Sequence, residues 1–262
     1  MSAYKEVFKR TEIKYLLSKE QYDGLMPYLK TIARVDEYGL SRINNIYFDT
    51  PDYRLAKTSM EKPLYKEKLR LRTYGATGDD TNSFIEIKKK YSGIVYKRRV
   101  SGSYTDTYEY LTGNGDHKKS FEPLQISREI DQFMRLYGKL RPAMCICYDR
   151  VAMIGKEDED FRVTFDSNII WNDKCTDLRT VNGGRKLLED GQRLMEIKVS
   201  NAMPMGLARR LSELGIFPVS FSKYGSGYAD MMTMIRSERT ERTAERKTIV
   251  TAGKMKGVAA YV

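Results

Sequence analysis

The sequence predicts an α+β protein built on an antiparallel β-tunnel, a closed barrel of about eight strands with a charged interior and helices packed outside. Three observations carry this expectation. Period-two alternation recurs along the chain, one of the two faces it defines is repeatedly cationic, and capped helical segments fall between the alternating runs. A length of 262 residues suits one such domain with a tail, and 41% hydrophobic with 31% charged residues excludes disorder for most of it.

The elements follow in order. In Phe8 to Tyr15, Arg10, Glu12 and Lys14 share one face, and Lys9, Thr11 and Ile13 the other. Ser18-Lys-Glu-Gln21 is a capping box for a helix to Lys30, with Leu17 and Tyr22 at staple positions. Thr50-Pro51 reads as N-cap and first residue of a helix over Asp52 to Ser59. Lys66, Lys68, Arg70 and Arg72 line one face of the next strand against Leu69, Leu71 and Thr73. Glu86 and Lys88 then oppose Ile85 and Ile87, and Lys97 and Arg99 oppose Tyr96, Arg98 and Val100. Gln125 to Tyr137 has Ile126, Ile130, Phe133 and Tyr137 at helical spacing. Arg150 shares a face with Tyr148, Arg162 with Thr164 and Asp166, and Glu196 with Lys198. Pro204 to Leu214 forms a helix ended by Gly215, and another follows Tyr224 through Met231, Met232 and Ile235. From Arg236 the sequence mixes opposite charges three or four apart, the pattern of a solvated helix or loose tail. The domain is therefore placed at residues 1–235 and the tail at 236–262.

Lys and Arg number 46 against 35 Asp and Glu, a net charge of +11 that favours an anionic partner. Cys145, Cys147 and Cys175 are an odd set, and no disulfide framework is expected. With His117 the single histidine, neither a zinc site nor a His-dependent nucleophile is expected. The start lacks a signal peptide's apolar region and no run reaches the length of a membrane span, so the cytoplasm is the default location.

One cationic stripe is the wet face of a sheet. Many stripes rich in arginine, with isolated carboxylates among them, suit a polyanion and a metal ion. A cation about 4 Å from a phosphate charge gains ~4 kcal/mol at an effective dielectric near 20, before desolvation. Closing the sheet turns this face inward and leaves the apolar face to the helices.

Arg10-Thr-Glu12-Ile-Lys14-Tyr15, Ile46-Tyr-Phe-Asp49, Arg70-Leu-Arg72-Thr-Tyr74-Gly75, Phe84-Ile-Glu86-Ile-Lys88, Tyr96-Lys97-Arg98-Arg99, Tyr148-Asp-Arg150, Arg162-Val-Thr-Phe-Asp166, Met195-Glu196-Ile-Lys198 and Ser222-Lys223-Tyr224-Gly225-Ser226-Gly227 occur in this order. Together they resemble the VTC domain of polyphosphate polymerases and their bacterial relatives, within the triphosphate tunnel metalloenzyme superfamily. The resemblance runs from about Phe8 to Tyr228. It implies transfer of the terminal phosphoryl group of ATP to a growing polyphosphate chain, with Mn2+ or Mg2+. It implies Lys14, Arg70, Arg72, Lys88, Arg150, Arg162 and Lys223 as catalytic residues, Arg10, Lys97, Arg99 and Lys198 as phosphate-binding residues, and Glu196 as the metal carboxylate. Arg70 and Arg72, ~6.6 Å apart along a strand, would grip successive phosphates bidentately. The superfamily's hydrolases begin with Glu-x-Glu-x-Lys, and Arg10 replaces the first of those carboxylates, which favours holding a polymer over two-metal hydrolysis. Glu12 and Glu86 then orient neighbouring cations.

The partners implied are ATP and inorganic polyphosphate or pyrophosphate, with no nucleic acid. No regulatory phosphate-sensing domain is expected before Phe8 and no membrane segment after the tunnel. If polymer is fed across a membrane, a separate membrane protein must supply the channel, and the enzyme would then work at the inner face. Two other functions fit the same fold: a tripolyphosphatase or nucleoside triphosphatase, and a non-catalytic polyphosphate-binding module. A nucleic-acid binder lacks the expected aromatic stacking platform.

Overall fold

The computed structural model describes residues 11–61, 63–92, 94–113, 121–200 and 202–258, with side chains described as far as residue 242. Arg10 and His117 lie outside the described residues. The chain divides into two compact units, Met1–Gly225 and Ser226–Val262.

Among the described residues the first unit has nine strands: β1 (Thr11–Leu17), β2 (Ala33–Asp49), β3 (Tyr65–Tyr74), β4 (Asn82–Tyr91), β5 (Ile94–Ser103), β6 (Arg141–Gly155), β7 (Arg162–Asn172), β8 (Arg185–Lys186) and β9 (Arg193–Val199). Between them lie α1 (Lys19–Ile32), α2 (Arg54–Met60), α3 (Tyr104–Thr112) and α4 (Leu124–Tyr137), and α5 (Met205–Glu213) follows β9. The second unit is helical, the continuation of α6 (Lys223–Val258). Among the described residues no helix is long and apolar enough to cross a membrane.

All strand pairs are antiparallel, in the order β1-β9-β7-β6-β2-β3-β4-β5, with β8 attached to β7. The expected closed barrel is corrected here: the hydrogen-bonded path is open between β1 and β5. The free edge of β1 is instead occupied by the segment after α5, where Val219 N donates to Lys14 O at 2.7 Å and Tyr15 bridges Pro218. Curvature nevertheless brings the two ends of the path together. Lys88 of β4 lies 3.4 Å from Glu12 of β1, although five strands intervene in the order between β1 and β4.

The alternation sorts side chains as the sequence implies. One convex apolar cluster joins Ile46, Phe48, Leu69, Leu71, Ile85 and Ile87 to Tyr104, Ile130 and Phe133 of α3 and α4. A second joins Tyr15, Leu17, Val163, Phe165, Met195 and Ile197 to Leu25, Leu29, Leu207 and Leu211 of α1 and α5. Helices therefore cover the apolar side, and the charged side is left to form a trough. Leu25 and Leu29 are fully buried, so truncating either to Ala would cost ~2–5 kcal/mol.

Local signals held unevenly. The capping box is formed: Gln21 N donates to Ser18 Oγ at 3.2 Å and Ser18 N to Gln21 Oε1 at 3.0 Å. Helix α2 starts at Arg54, three residues after Pro51, because Tyr53 takes a left-handed conformation with φ of 59°, although Thr50 Oγ1 still accepts from Arg54 N at 2.9 Å. Its first turn is capped from a distance by Asp49, whose carboxylate accepts from Leu55 N and Ala56 N at 2.9 Å each. The odd cysteine set nevertheless contains one disulfide: Cys145 and Cys175 are paired, with Cα atoms 5.6 Å apart, and Cys147 is free and buried.

Candidate anion-binding site

Strand parity sends Lys14, Arg70, Arg72, Glu86, Lys88, Lys97, Arg150, Asp166, Glu196 and Lys198 to the concave face, and three buried carboxylates organise the cations there. Glu86, 1% exposed, lies 2.7 Å from both Nε and Nη2 of Arg70, 3.8 Å from Arg72 Nε and 2.5 Å from Lys97 Nζ. Asp166, also 1% exposed, takes Nε and Nη2 of Arg150 at 2.6 and 2.8 Å and Lys223 Nζ at 2.5 Å. Glu196 lies 2.9 Å from Lys198 Nζ and 3.8 Å from Lys14 Nζ. Burial alone would raise these three carboxyls. The neighbouring cations, Arg70 for Glu86, Lys223 for Asp166 and Lys198 for Glu196 foremost, hold all three below the ordinary carboxylate range.

Two tyrosines complete the arrangement. Arg70 Nη1 donates to Tyr47 Oη at 3.1 Å, and Arg72 donates to Asn45 Oδ1 at 2.8 Å and Tyr148 Oη at 3.1 Å. Lys223 Nζ stands 4.4 Å above the Tyr148 ring. Burial would raise Tyr148, but Arg72, Arg150 and Lys223 bring its hydroxyl down to about 8. Burial lowers Lys68 to about 8, with Lys14, Lys88 and Lys66 adding like-charge repulsion.

A strap crosses the trough. Lys14 Nζ donates to Phe221 O at 3.1 Å, Lys68 Nζ to Ser222 Oγ at 2.8 Å, and Tyr224 Oη to Asp49 Oδ2 at 2.6 Å. Tyr224 also stacks on Tyr47, with centroids 4.6 Å apart and planes at 2°. This strap carries Lys223, so β1, β2, β3 and β7 jointly fix that residue.

Of the residues expected at the site, Lys14, Arg70, Arg72, Lys88, Lys97, Arg150, Glu196, Lys198 and Lys223 meet in this network. Arg99 lies beside it, its guanidinium 4.8 Å over Phe84. Arg162 is not brought in: it is exposed at the start of β7, where its Nε donates to Glu159 O at 3.4 Å. Arg10 lies outside the described residues. The bidentate grip expected of Arg70 also needs correction, because its Nε and Nη2 edge is already taken by Glu86 and its Nη1 by Tyr47. Its remaining N–H groups, not the whole fork, are available to a ligand. Sequence reasoning assigned no site role to Asp166, Tyr47, Tyr148, Asn45 or Lys68. Parity alone could have found Lys68 and Asp166, which share faces with Arg70 and Arg162.

Among the described residues no three His, Cys, Asp or Glu side chains converge as a self-sufficient metal site. Glu196 and Glu12 do flank the same lysine, at 3.8 and 3.6 Å from Lys14 Nζ. A pair of carboxylates fits Mg2+ or Mn2+ that takes its other ligands from phosphate oxygens and water.

An open antiparallel sheet curved into a trough, lined by cations held on buried carboxylates, defines a site whose fixed positive charge suits an anion. The chain belongs to the VTC domain family, whose model matches residues 9–232. No curated protein matches it in sequence. Among solved structures, a protein provisionally assigned as an adenylate cyclase from Bacillus halodurans is 14% identical, with a TM-score of 0.48 over 82% of this chain and 95% of that one. A Hippeastrum protein provisionally assigned as an adenylyl cyclase, described as having dominant triphosphatase activity, is 16% identical, with a TM-score of 0.46 over 84% and 95%. At such scores neither likeness bears on activity.

Proposed function

We propose that this protein is a metal-dependent polyphosphate polymerase that transfers the terminal phosphoryl group of ATP to a polyphosphate chain held in the trough. The observation that carries this reading is the convergence of Arg70, Arg72, Arg150 and Lys223 on one concave face, each already oriented by Glu86, Asp166 or Tyr148. Phosphoryl transfer asks little covalent chemistry of a protein, and fixed positive charge near the equatorial oxygens supplies most of what it needs.

Arg70 and Arg150 are pinned on their Nε edges, so their remaining N–H groups are preorganised toward the trough and need no reorientation when a phosphate arrives. Lys14, Lys68 and Lys223 hold the strap against the trough, which keeps donor and acceptor phosphates in one channel. A divalent ion, when bound, would neutralise developing charge on the transferred group. Glu196, with Glu12, is the carboxylate set that would hold it.

The test is product analysis. Purified protein with ATP and manganese should yield long polyphosphate on a gel, and Glu196→Gln should abolish this metal-dependent product. Free phosphate without polymer would identify a triphosphatase instead. Binding of tripolyphosphate with neither product would identify a binding module.

A further inference from the structure

Thr164 stands on β7 between Arg162 and Asp166 on the concave face, since Val163 and Phe165 enter the apolar cluster on the other side. It is 9% exposed, and among the described residues its Oγ1 is a buried side-chain oxygen with no hydrogen-bond partner. Its neighbours on that face explain why. Opposite it on β6 is Ala152, whose methyl group offers neither donor nor acceptor. Along the strand, Asp166 is taken by Arg150 and Lys223, and Arg162 Nε turns to Glu159 O. Opposite it on β9 is Glu196.

A valine would fill the same space without burying a hydroxyl, so threonine here carries a desolvation cost that no hydrogen bond in the structure offsets. Among these neighbours Glu196 alone has an acceptor to spare. Residues directly opposite on an antiparallel pair hold their Cβ atoms about 5 Å apart, within reach of a hydroxyl and a carboxylate. Glu196 Oε1 lies 2.9 Å from Lys198 Nζ, while Oε2 lies 3.8 Å from Lys14 Nζ, which donates instead to Phe221 O. An ammonium group at that range and a divalent cation repel each other, so an ion that takes Glu196 displaces Lys198. The Lys198 side chain is 35% exposed and can turn toward a phosphate. Glu196 is then left without a protein donor beside a donor without an acceptor.

We propose that Thr164 is the positioning residue of Glu196: once a divalent cation takes the carboxylate from Lys198, the Thr164 hydroxyl donates a hydrogen bond to that carboxylate and holds it on the ion. Metal-binding carboxylates are generally fixed by an outer hydrogen bond of this kind. The inference rests on the reading of Glu196 as the metal carboxylate. It is independent of whether the product is polymer or free phosphate.

The experiment compares wild type with Thr164→Val, Thr164→Ser and Glu196→Gln. Mn2+ is titrated into the one-to-one complex of each protein with tripolyphosphate, and free Mn2+ is read by electron paramagnetic resonance. Thr164→Val keeps shape and charge and should weaken Mn2+ binding about tenfold, the lower end of what an outer hydrogen bond contributes. Thr164→Ser keeps the hydroxyl and should stay within about threefold of wild type. Without metal, Thr164→Val should melt no lower than wild type, because it buries one unpaired hydroxyl fewer, and should bind tripolyphosphate within about twofold of it. Unchanged Mn2+ affinity in Thr164→Val, an equal loss in Thr164→Ser, a lower metal-free melting temperature in Thr164→Val or a matching metal-free loss of tripolyphosphate would each overturn the role. Glu196→Gln separates the two levels. If it loses Mn2+ affinity and Thr164→Val does not, Thr164 alone is removed; if it keeps wild-type affinity, the metal reading falls with the inference.

Discussion

Asp166 neutralises two cations at once and has almost no solvent to help it. Asp166→Asn keeps the shape and removes the charge, leaving Arg150 and Lys223 uncompensated. Breaking a buried pair in this way costs ~3–5 kcal/mol, to be read as a fall in the urea midpoint at unchanged slope. Tripolyphosphate can supply the missing negative charge, so its thermal stabilisation should be larger in the variant than in wild type. An equal or smaller shift would place Asp166 away from the ligand. Which residues face the trough was legible, because parity within a strand is a local property, as Lys68, Arg70 and Arg72 illustrate. Glu86 as a residue that orients its cationic neighbours was legible too, but the groups that hold Arg72 and Arg150 were not, because Tyr148 and Asp166 reach them only once separate strands are in register.

Among the elements, α2 and the strap depend on one carboxylate. Asp49, fully buried, accepts from Thr50 N, Leu55 N and Ala56 N and from Tyr224 Oη. Asp49→Asn would turn one acceptor oxygen into a donor facing another donor. The expected loss is at least ~2 kcal/mol in denaturant unfolding, and tripolyphosphate affinity should fall because Tyr224 no longer holds its neighbour Lys223. A stability loss with unchanged affinity would separate the strap from the site. The capping box of α1 was legible since all its partners lie within four residues. The start of α2 was not, since its cap comes from the end of β2 and its Tyr53 adopts a conformation no local signal announces. Closure of the sheet was misjudged for a related reason: alternation tells which face is inward, but not that Pro218 and Val219 occupy the edge of β1.

For the whole molecule, the trough's surplus of cations makes anion binding and proton binding one process. Lys68 and Lys97 sit at about 8 in the folded chain against an ordinary 10.5, so the unfolded chain holds more protons between those values. The two groups therefore contribute a stability penalty that is fully present below about pH 8 and relieved as pH climbs toward 10.5. A phosphate chain reverses the shift by favouring the charged lysines. Tripolyphosphate binding at about pH 8.5 should take up protons, seen as an enthalpy that varies with the buffer's ionisation heat, and affinity should decline above that pH. A buffer-independent enthalpy would remove the lysines from the ligand's surroundings. The pairing of β1 with β9, and the seal that Val219 places on Lys14, have a consequence for biosynthesis. β1 waits longest for its neighbour, because β9 and the segment that covers its edge are made after every other strand of the sheet. Until then it is an unpaired, half-apolar edge, the kind of surface that nascent chains must shield from one another. A chain halted before residue 193 would carry most of the cations and still have no wall on which to set Lys14 beside Glu196.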